Sequence, residues 1–497
     1  MRRALGLFAL VFLVVIAGCA GTTSPVAQET TTSPTTTDTG PTTEVEPPDP
    51  PTDRLGWEDG YWYNETLDVD QTDGLNESER DAVVSRSMAR VEHVRGLEFD
   101  ERPPVEVISR DEHRNRTNGS FANTSTNGTI HQDVKFEATF LMGEKTSATA
   151  QQEENRASSV LGYYSPSEDE IVIVSENAKN PQIDEITLSQ ELFHALQEHR
   201  FNVSEMEGNT EETHNARAGI IEGDGNYVDH LYEQECENGW QCYEDSSSGG
   251  DSSSGGDTHV GLLALRLQPY SDGPVFVEEL YEEGGWDAVN AVYDAPPQST
   301  EQTIHTEKYR SDAPTAVTVE DRSSEAWVVP DLGNGSIDHA QFGEAGMYVM
   351  LWYPSYVETA AVQSARDVVI PYSNFFAPGN EPGIDQYNYA HRYSAGWDGD
   401  RLVPYMTNES AETGETGYVW KSVWDSEEQA LEFVVGYDQL LDYHGAEPVP
   451  DRPNTYRIPE GEFADAFHIE RSGDTVVIVN APTVEELDEV REGAGAE

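Results

Sequence analysis

Between Leu188 and His199 the chain reads Leu-Ser-Gln-Glu-Leu-Phe-His-Ala-Leu-Gln-Glu-His. Leu188, Leu192, Phe193 and Leu196 recur at helical spacing, so a helix from about Asp184 to His199 is predicted, with one face in the core. The same helix carries Gln190, Glu191 and His194. A carboxylate and an imidazole beside an apolar stripe need partners, because an unpaired buried charge is strongly disfavoured. The fold must therefore bring a second polar element against this helix. A second helix, from about His214 to Glu235, holds Glu222 and Asp224 and is the nearest source.

The spacing also suggests a chemistry. A zinc-peptidase helix uses His-Glu-x-x-His because residues four apart project from one face and can grip one ion. The Glu of that pattern then acts as general base on the metal-bound water. Here Glu191 and His194 fill the second and fifth places, and Gln190 stands where the first His belongs. Glu222 is the candidate third ligand. An amide oxygen is a neutral, weak ligand for zinc, so exchanging an imidazole for it should cost several kcal/mol of binding. Among other histidines, His199 lies about 140° round the helix from His194 at ~100° per residue. His214 and His230 flank Glu222 along the second helix. A plainer reading of the same residues is a polar knot, with His194 bonded to Glu222 and Glu191 held by backbone donors.

Several tags carry a family resemblance. The run Asn215-Ala-Arg-Ala-Gly-Ile-Ile-Glu-Gly-Asp224 resembles the ALVEGDA-type element of zincin-like proteins whose first helix reads HELTHALQDQHF, matched here by Glu191, His194, Ala195, Leu196, Gln197 and Phe201. Gly284-Gly-Trp-Asp-Ala-Val-Asn290, Pro296-Pro-Gln-Ser-Thr-Glu-Gln-Thr-Ile-His305, Lys308-Tyr309, Gly396–Arg401 and Trp424-Asp-Ser426 are similar to later tags of the same family, so the likeness spans about Leu161–Tyr437. The resemblance implies zinc on two histidines and a glutamate. Only His194 and Glu222 carry over as ligands, with Glu191 as a vestigial general base and Gln190 at the degenerate position. His305 would assist an oxyanion in an active relative, whereas by itself it reads as a core or loop histidine. The Gly396–Arg401 segment reads as a capped structural turn.

Charge and the chain's early residues bear on location. The 93 acidic residues against 29 basic ones leave −64, spread along the whole chain, and only five of the basic residues are lysines. Self-repulsion at that level destabilises a compact state unless salt screens it; near 1 M the Debye length is ~3 Å. The composition thus reads as that of a salt-loving organism's protein, and it excludes nucleic acid as a partner. Arg2 and Arg3, an apolar run Ala4–Ala17 and Ile16-Ala17-Gly18-Cys19 resemble a secretory lipoprotein leader, in which Cys19 would take the lipid and anchor the chain at the outer face of the membrane. The Thr/Pro-rich segment that follows is expected to be an extended stalk. Cys236 and Cys242 are expected to form a local disulfide in that oxidising setting. Glycosylation sequons lie at Asn64, Asn76, Asn115, Asn118, Asn123, Asn127, Asn202, Asn334 and Asn408, and the four between Asn115 and Thr129 suggest an exposed loop.

Further helices are predicted at Glu77–Val94, Val260–Leu267, Pro274–Glu282, Trp286–Tyr293, His339–Trp352 and Ser426–Leu441. Strands are predicted at Val105–Ile108, Leu161–Tyr164, Ile171–Val174, Ala316–Val319, Ala326–Val329, Val368–Ile370, Val403–Tyr405, Tyr418–Trp424 and Asp474–Val479, and Ser246–Gly256 reads as a flexible loop. The expected class is α+β: a zincin-like domain with a mixed sheet and metallopeptidase-type helices, then a β-rich α+β portion. The expected division is 1–18 leader, 19–55 stalk, 56–312 zincin-like, 313–485 C-terminal portion and 486–497 polar tail. No serine-hydrolase elbow, phosphate loop or dinucleotide fingerprint sits in a supporting context. The expected function is a non-catalytic, lipid-anchored surface protein that binds a peptide or envelope partner, with zinc weakly held or not at all. Two alternatives stand beside it: an active zinc endopeptidase completed by another ligand, and a purely structural envelope component.

Overall fold

A computed structural model describes residues 49–117, 124–175, 177–206, 208–244, 258–333, 336–362, 364, 366–376 and 384–494. Cys19 and most of the stalk lie outside these residues, as do the Ser246–Gly256 loop, Asn118, Asn123 and Asn334. The elements in order are β1 (Trp57–Glu58), β2 (Tyr61–Trp62), α1 (Glu77–Arg95), β3 (Val105–Ser109), α2 (Arg110–Thr117), α3 (Thr126–Ala138), α4 (Ala148–Ser159), β4 (Gly162–Ser165) and β5 (Glu170–Ser175). There follow α5 (Glu185–Phe201), α6 (Glu211–Asn238), α7 (Val260–Tyr293), α8 (Glu301–Ile304), α9 (Gly343–Val362), β6 (Trp397–Tyr405), α10 (Ser410–Thr413), β7 (Gly417–Trp424) and α11 (Glu427–Tyr443). The chain closes with β8 (Glu447–Pro448), β9 (Thr455–Arg457), β10 (Ala466–Ser472), β11 (Thr475–Ala481) and α12 (Leu487–Val490). The fold is α+β.

The smaller sheet has the order β3-β5-β4, with β3 parallel and β4 antiparallel to β5, so β4 is an edge. Helix α5 starts where the Asp184 side chain accepts the Thr187 N–H and stops at Asn202 in the left-handed region (φ 55°). Its apolar stripe is fully buried: Leu188, Leu192, Phe193 and Leu196 join Val83, Met88 and Val91 of α1, Ile171 and Ile173 of β5, and Val228 and Tyr232 of α6. The later sheet is antiparallel, in the order β6-β7-β11-β10-β9-β8. It packs on α9 and α11, and the core there also takes Ile130 and Val134 of α3 and Leu262 and Leu265 of α7. Packing is thus continuous between residues on either side of position 312.

Helices α6 and α7 approach closely because their contact is made of glycines. A Cβ on Gly223 would stand 2.5 Å from the Gly273 carbonyl carbon and oxygen, and a Cβ on Gly273 would stand 2.5 Å from the Gly219 oxygen. Gly223→Ala should therefore force the helices apart, at about 1–3 kcal/mol. Chemical denaturation in molar salt measures this, and an unchanged midpoint would show that the contact yields.

Several elements depart from the sequence reading. Of the three helices expected within 260–293, the first two form one run that passes Pro269 and Pro274, and the third is set off by a kink at Gly285 (φ 66°), as expected. Tertiary contact with α6 outweighs the proline penalty here. The crowded sequon segment is bounded by helices instead of being all loop: Asn115 lies in α2, and Asn127 sits in the first turn of α3, which Ser125 caps. Asn64, Asn76, Asn115, Asn202 and Asn408 are exposed, while half-buried Asn127 donates to the Asp331 carbonyl at 2.9 Å.

Ala316–Val319 and Val368–Ile370 form no strand, yet Val317, Val369 and Ile370 are buried, so their apolar residues serve packing without ladder bonds. Ala326–Val329 contributes only an isolated bridge, Val328 to Met406. Gly396–Arg401 is a turn only at Gly396, where φ is 78°. It opens β6, and fully buried Asp400 accepts from the indole N–H groups of Trp397 and Trp420 at 3.2 and 2.9 Å and from the Phe342 and Gly343 N–H groups. Those last two bonds place the start of α9 at Gly343 rather than His339. The expected polar tail from residue 486 instead includes α12, whose Leu487 and Val490 are completely buried. Among the described residues no helix is long and apolar enough to cross a membrane.

Candidate functional site

Helix α5 sets Gln190, Glu191 and His194 within one turn, and strand β4 and helices α6 and α7 close over them. Gly162 of β4 lets strand and helix meet, since a Cβ there would lie 3.2 Å from the Glu191 Cγ. The Tyr164 backbone N–H of the same strand donates to the Glu191 carboxylate. Helix α6 delivers Glu222, whose Oε2 stands 3.5 Å from the His194 Nε2. Gly225, one turn on, keeps space beside the imidazole: its Cβ would lie 3.3 Å from the His194 Cε1. From α7, the Tyr270 hydroxyl hydrogen-bonds Glu222.

A second layer fixes the imidazole. His194 Nδ1 is 2.8 Å from the Gln197 Oε1, and the Gln197 Nε2 donates to the Ile221 carbonyl at 2.9 Å and to the Tyr293 hydroxyl at 2.7 Å. With its amide nitrogen so used, Gln197 presents oxygen to the ring, so His194 Nδ1 carries the proton and Nε2 faces Glu222. Tyr293 donates onward to the Asp224 Oδ2 at 2.6 Å, and Asp224 takes a two-pronged bond from Arg95 at 2.9 Å on each prong. Arg95 and Asp224 are both fully buried and paired. This chain makes the orientation of His194 a property of four helices, α1, α5, α6 and α7.

Burial pushes the Glu191 carboxyl up to about 7; His194 opposes that rise and Glu222 adds to it. Burial alone would lower the His194 imidazole, but the Glu222 and Glu191 carboxylates outweigh it and raise it. The Tyr270 phenol is pushed well up by burial and by Glu222.

The geometry suits two corners of a zinc site. Ligand atoms 2.0–2.2 Å from a tetrahedral zinc lie about 3.4 Å apart, close to the 3.5 Å between His194 Nε2 and Glu222 Oε2. The third corner is not supplied by a strong donor. Among the described residues, clusters of three His, Cys, Asp or Glu ligand atoms occur only at Glu101/Asp169/His199, Glu137/Glu144/Asp465 and Asp312/Asp398/Asp425, so His194 and Glu222 remain a pair. Gln190, half-buried, lies one turn before His194 on α5, the position from which helical spacing would bring a further ligand. The donor set among the described residues therefore does not complete a zinc centre.

The other histidines are engaged elsewhere. His199 bonds Asp169 in the β4–β5 turn at 2.8 Å, as its angle round the helix required. His214 and His230 lie eight residues either side of Glu222, roughly 12 Å along the α6 axis, and His230 pairs with Gln234 at 2.7 Å. His305 is 3.0 Å from Glu344, a fully buried carboxylate of α9. Burial opposes protonation of His305, yet that bond and charge raise it to about 8. It forms an ion pair distinct from the His194–Glu222 pair. Cys236 and Cys242 are joined in a disulfide beside Trp240.

Sequence reasoning missed Tyr270, Tyr293 and Arg95. Arg95 and Tyr270 fall outside the helices read from apolar spacing and Tyr293 at the end of one, and no spacing rule ties a lone Tyr or Arg to a partner on another helix.

A family model described as a domain of unknown function (DUF8575) matches residues 301–491, which span α8 to α12 and exclude the α5–α6 site. No curated protein and no solved structure matches the chain.

Proposed function

We propose that this is a lipid-anchored, glycosylated surface protein of a salt-loving organism, whose zincin-like domain keeps the frame of a metallopeptidase and has lost its catalysis. The cleft over α5 binds extended peptide or envelope-protein segments instead of cutting them. The observation that carries this reading is the meeting of His194 and Glu222 at 3.5 Å beside Glu191, with Gln190 where a further nitrogen donor is needed. Strand β4, the edge of its sheet, lies against the same residues, its Tyr164 N–H already engaged by Glu191. The charge of −64 keeps such a domain soluble in molar salt.

The intact protein in molar potassium chloride should bind labelled peptides, read by fluorescence anisotropy, and leave quenched fluorogenic peptides uncut with or without zinc. Zinc-dependent hydrolysis that vanishes in Glu191→Gln would replace this reading with an active endopeptidase. Peptides that neither bind nor react would leave the structural role.

A further inference from the structure

The disulfide loop at the end of α6 reaches further than its own ring. Cys236 lies in the last turns of α6, and Cys242 comes six residues later, beyond Gly239, whose φ of 132° ends the helix. The residues that follow bond chiefly to distant parts of the chain. Gln241 Oε1 accepts from the Leu67 N–H at 2.9 Å and from Arg86 at 3.1 Å, and its Nε2 donates to the Leu67 carbonyl at 3.2 Å. The Gln241 carbonyl accepts from Arg90 at 3.1 Å, and the Trp240 ring lies 4.5 Å from the same guanidinium. Tyr243 exchanges two bonds with Glu185: its N–H donates to the carboxylate at 3.0 Å, and its carbonyl accepts the Glu185 N–H at 2.9 Å. The Glu244 carbonyl accepts from the Gln71 side chain at 2.8 Å.

These few residues therefore hold three things at once: the segment Leu67–Gln71, the middle of α1 and the first residue of α5. Arg86, Arg90 and Glu185 are completely buried under them. Two guanidinium groups and a carboxylate are stable out of water only while they are paired and hydrogen-bonded. Gln241 supplies two of the acceptors and Tyr243 a donor. Without the cross-link, the chain would give up far more freedom to set those groups in place. Both cysteines are half-buried beside the exposed residues Glu237–Gly239, so a small thiol can reach the sulfurs.

We propose that the Cys236–Cys242 disulfide is a redox latch on the start of α5. A thiolate of a dithiol reductant attacks one sulfur, the S–S bond breaks and a mixed disulfide forms; the reductant's second thiol then displaces the cysteine. Two electrons and two protons pass to the protein, leaving two cysteine thiols and an oxidised, cyclic reductant. The freed loop withdraws Gln241 and Tyr243, so Leu67–Gln71 detaches and water enters the Arg86–Glu185–Arg90 group. Gln190, Glu191 and His194 lie further along the same helix, so their order follows the state of the latch. Reducing surroundings hold this corner open and oxidising ones close it. The device is a matter of packing and stands whether or not the cleft takes up peptide.

Hydrogen exchange of the intact chain in molar potassium chloride, with and without a dithiol reductant, tests it. We expect reduction to speed exchange at the Leu67, Glu185 and Tyr243 amides by about tenfold or more, to leave β7 and β11 unchanged, and to lower the melting temperature by several degrees. A Cys236→Ser/Cys242→Ser protein should show the same pattern without reductant and ignore its addition. Gln241→Ala, which keeps the disulfide, should speed exchange at Leu67 in the oxidised protein. Faster exchange confined to residues 237–244 would overturn the latch, as a link that holds only its own loop. Unfolding of the whole chain on reduction would overturn it as a general staple, and so would unchanged exchange once alkylation shows both thiols free.

Discussion

Glu185→Ala should destabilise the folded protein by about 3–5 kcal/mol, the loss expected when one partner of a buried ion pair is removed. Glu185, the first residue of α5, is completely buried and holds two arginines at once: Arg86 at 3.0 Å and Arg90 at 2.7 Å. It also accepts from the Tyr232 hydroxyl at 2.7 Å and the Tyr243 N–H at 3.0 Å. Truncation leaves two guanidinium groups with side-chain exposures of 0% and 1% without their carboxylate. Trp240 stacks 4.5 Å from Arg90 and Tyr243 5.1 Å from Arg86, but a ring face offsets only part of a lost charge. Because the pair excludes solvent, the loss should persist in molar salt, unlike that of an exposed pair. Denaturant unfolding at two salt concentrations measures it. A loss below about 1 kcal/mol would mean that water reaches the arginines and that α1 and α5 are less tightly joined.

Gln190→His should turn the cleft from a two-donor pair into a zinc site. The substituted imidazole would sit one turn before His194 on the same face, completing two histidines and Glu222. The surrounding order is already in place: Gln197 fixes the His194 tautomer, and Tyr293, Asp224 and Arg95 hold Gln197. We expect about one zinc per chain by elemental analysis, removable by chelator. At a thousandfold excess over the dissociation constant the gain in stability is ~4 kcal/mol. Adding Glu222→Ala should abolish both effects. A Gln190→His protein with no more zinc than the parent would show that the cleft is a polar knot without metal-site geometry, and would count against the proposed ancestry.

How much of this was legible in the amino acids can be judged element by element. Helix α5 and its cap at Asp184 follow from apolar spacing and a local side-chain bond, both short-range properties. The β4–β5 hairpin follows from β-rich runs flanking a polar turn, and strands β7 and β11 from their Val, Tyr and Trp content. Helices α2, α3 and α4 were not read, because their polar sequences carry little periodic signal and they are held in part by caps at Ser125 and Ser147. The α7 run across Pro269 and Pro274 reads from sequence as two pieces because a proline penalty is local, whereas the Gly219–Gly223–Gly273 contact on the same run joins residues about 50 apart; the kink at Gly285 was legible.

The candidate site divides in the same way. Spacing alone places Gln190, Glu191 and His194 on one helix turn and sends His199 elsewhere, since helical rotation is a fixed angle per residue. It also marks Glu222 as a partner without giving its distance. Folding settled that distance at 3.5 Å, added Tyr270 to the same carboxylate, and drew His305 away to Glu344. Such contacts depend on how far apart two helix axes lie and how each is rotated, quantities set by glycines and apolar side chains throughout the core. Local periodicity is written in neighbouring residues; convergence of distant side chains is a sum over the whole packing, and only the folded chain performs it.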